Sequence, residues 1–519
     1  MKHSILSVTT FSMILGLSAS APGTKNIDAS KEETRKPNIL FIFTDDQCYS
    51  TINALGNQKI KTPVTDRLVE KGTTFTNAYI MGSSSPGVCL PSRAKLFSGL
   101  HLWNLENQGI WGYEISERYK TFPQVFRENG YITFATGKND PGRHGHFARS
   151  FSHGDKLLFQ GMTSSQYRLP LFPFSPEGDY SRENIVVHEG THSAEVYANA
   201  AISFIEEQAE SEQPFFAYVA LQTPHDPREA PAEFHEMYRA EDMQLPPSFL
   251  PEHPFDNGML RIRDEVLAGF PRTPDEVKKH IADYYAVISH DDYQIGRILD
   301  ALKKSGRYDN TIIIYTSDNG LAVGKHGLMG KQNLYEHSVR VPLIIAGPGI
   351  PRGEVRDQLC YIYDLYPTLC KRAGLPVPET VQYKGLNKVI DGEVDVHREH
   401  LYFAFMNWQR SVRDDRFKLI EYCVDDNRYT QLFDLKTDRD ELNNLAGNPD
   451  YDVHLKKLRS ILESERVRQN DGNSTSEFAT KQGQEFWNTY NTVEKYEFPK
   501  FNFSNKIYPY KTLNNNNDL

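Results

Sequence analysis

The chain has 519 residues, of which 39% are apolar and 24% charged. Single hydrophobic cores stop growing at roughly 250–300 residues, so a large domain with a smaller companion is expected. The formal net charge of −10 excludes the global basic field that draws proteins to nucleic acid; an anionic substrate would need a locally positive pocket.

At the N-terminus, Lys2 and His3 precede an apolar run over residues 5–17 and small residues at 18–21. That order predicts a signal peptide over residues 1–21 and a periplasmic or secreted protein. The apolar run falls short of the ~20 residues that span a bilayer, so no stable membrane anchor is expected. Five cysteines (Cys48, Cys89, Cys360, Cys370 and Cys423) are an odd number for an exported chain, which leaves at least one outside any disulfide.

From residue 37 the pattern alternates buried-strand runs with helical stretches. Residues 38–43 read as a strand ending in Thr44-Asp45-Asp46. A helix should follow Thr62-Pro63, with Thr62 as its cap and Pro63 at the first helical position. Further strands are predicted at 131–135, 215–221, 311–315 and 342–346. Ile281, Tyr285, Ile288, Ile295, Leu299 and Leu302 recur at helical spacing and predict a long helix packed on a core. The expected fold is α/β over residues 37–395, a large, mostly parallel sheet sandwiched by helices. Residues 396–500 read as a smaller antiparallel α+β subdomain, with strands at 401–405, 416–422 and 431–435 and a helix at 452–468. Residues 501–519 read as a solvated tail.

Three segments carry chemistry. Asp45-Asp46 ends an apolar strand; alone it is a turn, but ligands in open α/β sheets bind beyond the carboxyl ends of strands. Ser317-Asp318-Asn319-Gly320 ends a second such strand. Together the two strand ends offer oxygen donors suited to Ca²⁺ or Mg²⁺, with no His or Cys needed as Zn²⁺ would prefer. The third is Cys89-Leu90-Pro91-Ser92-Arg93, after a Gly- and Ser-rich loop. Arg93 stands one helical turn beyond Cys89, so both can face one pocket.

The C-x-P-S-R segment resembles the signature of the type I sulfatases, the formylglycine-dependent, Cys-type family of the alkaline phosphatase-like superfamily. Further matches follow in order: P-N-I-L-F-I-F-T-D-D-Q at 37–47, T-P-x-x-D-R-L at 62–68 and T-G-K at 136–138. T-P-H-D-P at 223–227, S-D-N-G at 317–320 and G-K-x-x-x-Y-E-x-x-V-R-V-P at 330–342 complete the set. The resemblance implies that Asp45, Asp46, Asp318 and Asn319, with the modified Cys89, hold a cation, Ca²⁺ or Mg²⁺. It implies that a formylglycine-generating maturation enzyme oxidises Cys89 to an aldehyde. The hydrated aldehyde would attack sulfur and later collapse to release sulfate. Asp318 is the implied base, Arg93 orients the nucleophile and the carboxylates, and Lys138, His225 and Lys331 contact the sulfate or the leaving oxygen. Family members often carry His two residues after the T-G-K lysine. Here that place is Asp140, leaving Asp140, His144 or His146 as replacements.

His101, Trp103, Trp408, Arg410 and Arg413 are candidate liners of the substrate pocket. A signal peptide on such a core suggests a sulfated carbohydrate, polysaccharide or glycan, as substrate. Alternatives are an arylsulfatase acting on small aryl esters, a phosphoester or phosphonate hydrolase of the same superfamily, and a catalytically silent glycan-binding protein.

Overall fold

The computed structural model describes residues 35–105, 115–139, 145–424 and 427–471. The expected leader at 1–21, the tail at 501–519, Asp140 and His144 lie outside the described residues. The architecture below belongs to the compact unit that begins at Lys36.

Apolar runs become strands buried on both faces. In Asn38–Thr44 all seven residues are buried. Alternation sends Ile39, Phe41 and Phe43 into one core and Leu40 and Ile42 into another. Thr311–Ser317 divides the same way, Ile312 and Ile314 against Ile313 and Tyr315. Strands without a polar face are what a helix-covered parallel sheet requires. Each fully buried Ile or Phe contributes roughly 1.5–3 kcal/mol by leaving water.

The resulting sheet has eight strands. In spatial order they are Glu354–Arg356, Gly72–Phe75, Leu343–Ala346, Thr311–Ser317, Asn38–Thr44, Phe215–Ala220, Ile132–Lys138 and His153–Leu158. Leu343–Ala346 runs antiparallel to both of its neighbours, and every other pairing is parallel. Helices Ser193–Glu207 and Pro274–Lys304 cover one face, while Cys89–Ser98, Phe122–Glu128 and Leu365–Arg372 cover the other. The sheet is therefore the expected mostly parallel one, sandwiched by helices.

The helix after residue 62 spans Pro63–Lys71 with Pro63 at its start, but Thr62 does not cap it. Its hydroxyl instead donates to Asp66 Oδ1 at 3.0 Å. The free N–H groups of Val64 and Thr65 donate to Asp292 of the long helix, at 2.8 and 2.7 Å. The helix start is buried against Pro274–Lys304, where a carboxylate answers the positive helix end better than a hydroxyl.

The second sheet has five strands, ordered Asn427–Asp434, Phe417–Val424, Gln409–Arg413, Leu401–Phe405 and Gly82–Ser83. The helix Asp452–Arg468 packs beside it. Gln409–Arg413 went unrecognised in the sequence because its residues are polar, yet all five are buried. Polar partners make that possible: Gln409 donates to the carbonyls of Asn257 and Gln332, and Arg410 pairs with Asp471. Gly82–Ser83, parallel to Leu401–Phe405, comes from the segment just before Cys89 and so ties the small sheet to the Cys89 helix. Among the described residues no helix is long and apolar enough to cross a membrane.

Candidate active site

Four neighbouring parallel strands, Thr311–Ser317, Asn38–Thr44, Phe215–Ala220 and Ile132–Lys138, end at one edge of the large sheet. Register sets Thr44 beside Ser317, Phe43 beside Ala220 and Gly137 beside Ala220. The residues that follow therefore emerge together: Asp318 and Asn319, Asp45 and Asp46, His225, and Lys138 at the end of its own strand. Backbone bonds hold the edge closed, Asp45 N to Thr223 O at 3.1 Å and Asp318 N to Thr44 O at 3.2 Å.

Local geometry explains how each side chain turns inward. Asp46 takes φ +69°, a left-handed conformation uncommon outside glycine, and its N–H donates to Asp318 Oδ1 at 3.3 Å. Strain of this kind persists where the surroundings hold it, and here it sets two carboxylates side by side. Gly137 takes φ +85°, and a Cβ there would meet Ala220 O at 1.9 Å. Only glycine fits, and the pairing register shifts between Ala135 and Gly137 just before Lys138.

Cys89 is the first residue of the Cys89–Ser98 helix, whose ten residues are all buried. No side chain caps this start, so the positive helix end acts at Cys89. Arg93 donates Nε to Asp318 Oδ2 at 2.9 Å and Nη1 to Lys138 O at 2.8 Å; its Nη2 lies 3.6 Å from Asp45 Oδ2. Lys138 Nζ donates to Asp45 Oδ2. Lys331 Nζ donates to Asp46 Oδ1 at 2.5 Å and sits 3.5 Å from Cys89 Sγ. His225 Nε2 is 3.7 Å from Asp46 Oδ2, and its Nδ1 is 2.9 Å from the Asp226 carbonyl. A carbonyl only accepts, so Nδ1 carries the proton in the neutral ring.

The electrostatics follow from burying three carboxylates at one point. Burial pushes Asp46 up to about 7 and Asp318 up to about 6, with the charge of Asp45 adding to both shifts. Burial acts on Asp45 too, but Lys138, His225, Arg93 and Lys331 together hold it well below the usual carboxylate range. Burial pushes the Cys89 thiol up to about 12 and, with Lys331, pushes His225 down to about 4. A thiol so placed is protonated at neutral pH and is a poor nucleophile as it stands.

The donor set fits a hard divalent cation. Asp45 Oδ1 and Asn319 Oδ1 are buried and accept no hydrogen bond, a costly condition for buried acceptors. One ligand atom each from Asp45, Asp46, Cys89 and His225 lies within 4.8 Å of the others. Two of these four atoms are carboxylate oxygens, the donors that Ca²⁺ and Mg²⁺ prefer, and the other two are the Cys89 sulfur and a His225 ring nitrogen.

All the site residues read from the sequence thus meet at one sheet edge: Asp45, Asp46, Cys89, Arg93, Lys138, His225, Asp318, Asn319 and Lys331. None of the five cysteines is in a disulfide. His146 is buried edge-on against Phe97, with ring centroids 6.1 Å apart.

The expected pocket liners fare differently. Trp103 is buried and donates to Tyr402 OH at 3.0 Å, with the Arg410 guanidinium over its ring. Arg410 pairs with Asp471, and Arg413 donates to Tyr79 OH. These three are core residues, because their polar ends find partners inside. His101 is half-buried against Tyr383, and Trp408 packs on Gly258. Sequence reasoning missed Asp226, Arg263, Asp264 and Glu265, which surround His225 and Lys331. Arg263 and Asp264 lie in irregular chain and Glu265 opens the short 3₁₀ turn Glu265–Leu267, where no periodic pattern marks them.

Comparisons with known proteins point to one family. The Sulfatase family profile matches residues 37–375, and a profile for the N-sulphoglucosamine sulphohydrolase C-terminal region matches residues 324–469. Arylsulfatase K of Bos taurus is 30% identical, covering 87% of this chain and 86% of its own length. An N-acetylglucosamine-6-O-sulfatase of Bacteroides thetaiotaomicron is 26% identical, covering 85% of this chain and 88% of its own. A solved protein in complex with its substrate D-glucosamine-2-N,6-O-disulfate shares the fold, with TM-score 0.70 at 23% identity. That alignment covers 85% of this chain and 99% of the other. With the Sulfatase profile spanning well over half its length, the chain belongs to the sulfatase family of the alkaline phosphatase-like superfamily and is a sulfuric ester hydrolase.

Proposed function

We propose that this sulfatase removes sulfate from a sulfated carbohydrate, with the Cys89 side chain at the point of attack. The observation that carries this reading is the meeting of Cys89, Asp46 and Lys331: Lys331 Nζ touches both the carboxylate and the sulfur. The relatives support the carbohydrate, since one is an N-acetylglucosamine-6-O-sulfatase and a fold neighbour binds a sulfated glucosamine.

Asp45, Asp46, Asp318, Asn319 and the modified Cys89 would hold Ca²⁺ or Mg²⁺. When bound, the cation would supply Lewis-acid polarisation and ease deprotonation of a hydroxyl nucleophile. Formylglycine made from Cys89 by a maturation enzyme would supply that nucleophile as a hydrated aldehyde, whose second hydroxyl permits sulfate to leave without attack by water. The remaining steps belong to the chain's own residues. Asp318 accepts the nucleophile's proton, and Arg93 fixes it by bonding Asp318 and reaching towards Asp45. Lys138 and Lys331 offset the negative charge of the ester in a site closed to bulk water, where such charges act strongly. His225 holds Nε2 towards the reacting group; a sulfate beside that atom favours the charged ring, so substrate binding readies the proton that the leaving oxygen takes.

The first test is mass spectrometry of the Cys89 peptide from protein made with a formylglycine-generating enzyme. A loss of about 18 Da relative to the thiol is expected for thiol-to-aldehyde conversion. An unmodified thiol in fully active protein refutes the modification. Sulfated glucosamines should be turned over faster than aryl sulfates or phosphonate esters at matched concentration, and a preference for phosphonates overturns the reading.

The cation can be tested without turnover. Ca²⁺ at ~100 times its dissociation constant should stabilise the chelator-treated protein by ~2.7 kcal/mol in thermal unfolding. Asp45→Asn should remove most of that gain. Equal melting curves with Ca²⁺, with Mg²⁺ and with chelator would rule the cation out.

A further inference from the structure

Residues 251–272 lead into the long helix as irregular chain broken by one 3₁₀ turn, Glu265–Leu267. Three consecutive side chains in this stretch, Arg263, Asp264 and Glu265, reach both flanks of the active site.

Glu265 is 2% exposed and takes two successive backbone donors from the segment leading to Lys331. Met329 N donates to its Oε2 at 2.8 Å and Gly330 N to its Oε1 at 2.9 Å. Arg272 Nη2 donates to the same carboxylate at 2.7 Å and offsets its charge. On the other side of Lys331, Gln332 Nε2 donates to Asp264 Oδ2 at 2.7 Å, and Gln332 Oε1 accepts from Lys331 N at 3.0 Å. Lys331 is thus gripped before and behind. Gly330 makes the grip possible: a Cβ there would lie 2.5 Å from Gln332 Oε1, 2.9 Å from Glu265 Oε1 and 3.0 Å from Asp264 Cβ.

Arg263 extends the grip to the loop that carries His225. Its Nη2 donates to Asp264 Oδ1 at 2.6 Å and to Asp226 Oδ1 at 3.0 Å, while Nη1 donates to Asp226 Oδ2. Asp226 in turn faces His225, its carbonyl 2.9 Å and its Oδ1 3.4 Å from Nδ1. One bidentate guanidinium therefore links the residue that orients His225 to the residue that braces Lys331.

We infer that Arg263, Asp264 and Glu265 are positioning residues for sulfate ester hydrolysis, a clasp that fixes His225 and Lys331 relative to each other over Asp46. This rests on the reading that His225 and Lys331 act at the sulfate. Side chains must be held to within a fraction of an ångström for such groups to work together, and residues that lock their rotamers decide the rate. Apolar packing could close the loops as well; a network of charges adds direction, which packing lacks.

A double-mutant cycle on the full-length, matured enzyme tests it. Arg263→Gln and Glu265→Gln should each lower kcat by ~10–100-fold with a much smaller change in KM, in protein that melts cooperatively. Arg263 is 40% exposed, so its substitution leaves the core packing in place should Glu265→Gln fail to fold. If Arg263 acts through His225, Arg263→Gln costs nothing further in a His225→Asn background. If Glu265 acts through Lys331, Glu265→Gln costs nothing further in Lys331→Met. Equal fold-losses in both backgrounds would mean independent, merely structural effects and would overturn the clasp. Wild-type kcat in both clasp variants, with large losses in His225→Asn and Lys331→Met, sinks the clasp alone. Wild-type rates in His225→Asn and Lys331→Met sink the clasp together with the roles it serves.

Discussion

Replacing Asp318 by Asn is expected to slow sulfate release by ~10²–10⁴-fold, the usual contribution of a positioned base. The substitution keeps the volume of the side chain and removes only the charge. Every bond the Asp318 carboxylate makes is one it accepts: from Arg93 Nε at 2.9 Å, Asn319 Nδ2 at 2.9 Å and Asp46 N at 3.3 Å. An amide must turn its NH₂ towards one of these donors, which adds a stability loss of ~1–3 kcal/mol. The pairing of readouts separates the two effects. Turnover should collapse far beyond what the loss of folded protein explains, as seen by kcat on a sulfate ester beside thermal unfolding. Asp318→Ala should be at least as damaging to turnover. Normal turnover in either variant would remove Asp318 from its assigned role.

The second large effect is expected at Arg93. Its guanidinium is 2% exposed and stands over the Phe43 ring, 4.8 Å from the centroid. It bonds Asp318 and the Lys138 carbonyl and lies near Asp45, so it joins three of the four converging strand ends. Breaking a buried pair by removing one partner costs ~3–5 kcal/mol, because the other charge is left without compensation. Arg93→Ala should lower stability by about that amount and abolish measurable turnover. Arg93→Lys should fail to restore it, since one ammonium cannot reproduce a fork that bonds in two directions. Full activity in Arg93→Lys would show that only charge is needed there.

Much of this site was legible before any fold was known, and the reason is local. Asp45-Asp46 and Asp318-Asn319 end apolar runs abruptly, and in a helix-covered parallel sheet the end of a buried strand is where a ligand sits. Cys89 and Arg93 stand one helical turn apart, so their common orientation follows from helix geometry. Lys138, His225 and Lys331 were different. Nothing in their own surroundings marked them, and they were located only by resemblance to the sulfatases.

Misreadings have an equally physical source. Trp103, Arg410 and Arg413 have an apolar body and a polar end, and such residues suit a sugar pocket or a core equally well. The core won because Tyr402, Asp471 and Tyr79 were waiting inside as partners. Thr62 carried a cap's chemistry, but Asp292, more than two hundred residues away, took the donors. Gln409–Arg413 had no apolar period to betray a strand. The clasp at residues 263–265 was invisible for the same reason, as charged residues outside any long helix or strand look like any solvated loop.

The sequence by itself determined the fold class, the strand ends that carry carboxylates and the family to which the chain belongs. These depend on periodicity and on motifs whose residues are close together along the chain. Tertiary structure alone decided which polar residues lie inside, which carboxylates meet, and how Lys331 and His225 are held. Those outcomes rest on contacts between distant segments, where a buried charge is tolerated only if its partner arrives from elsewhere in the chain.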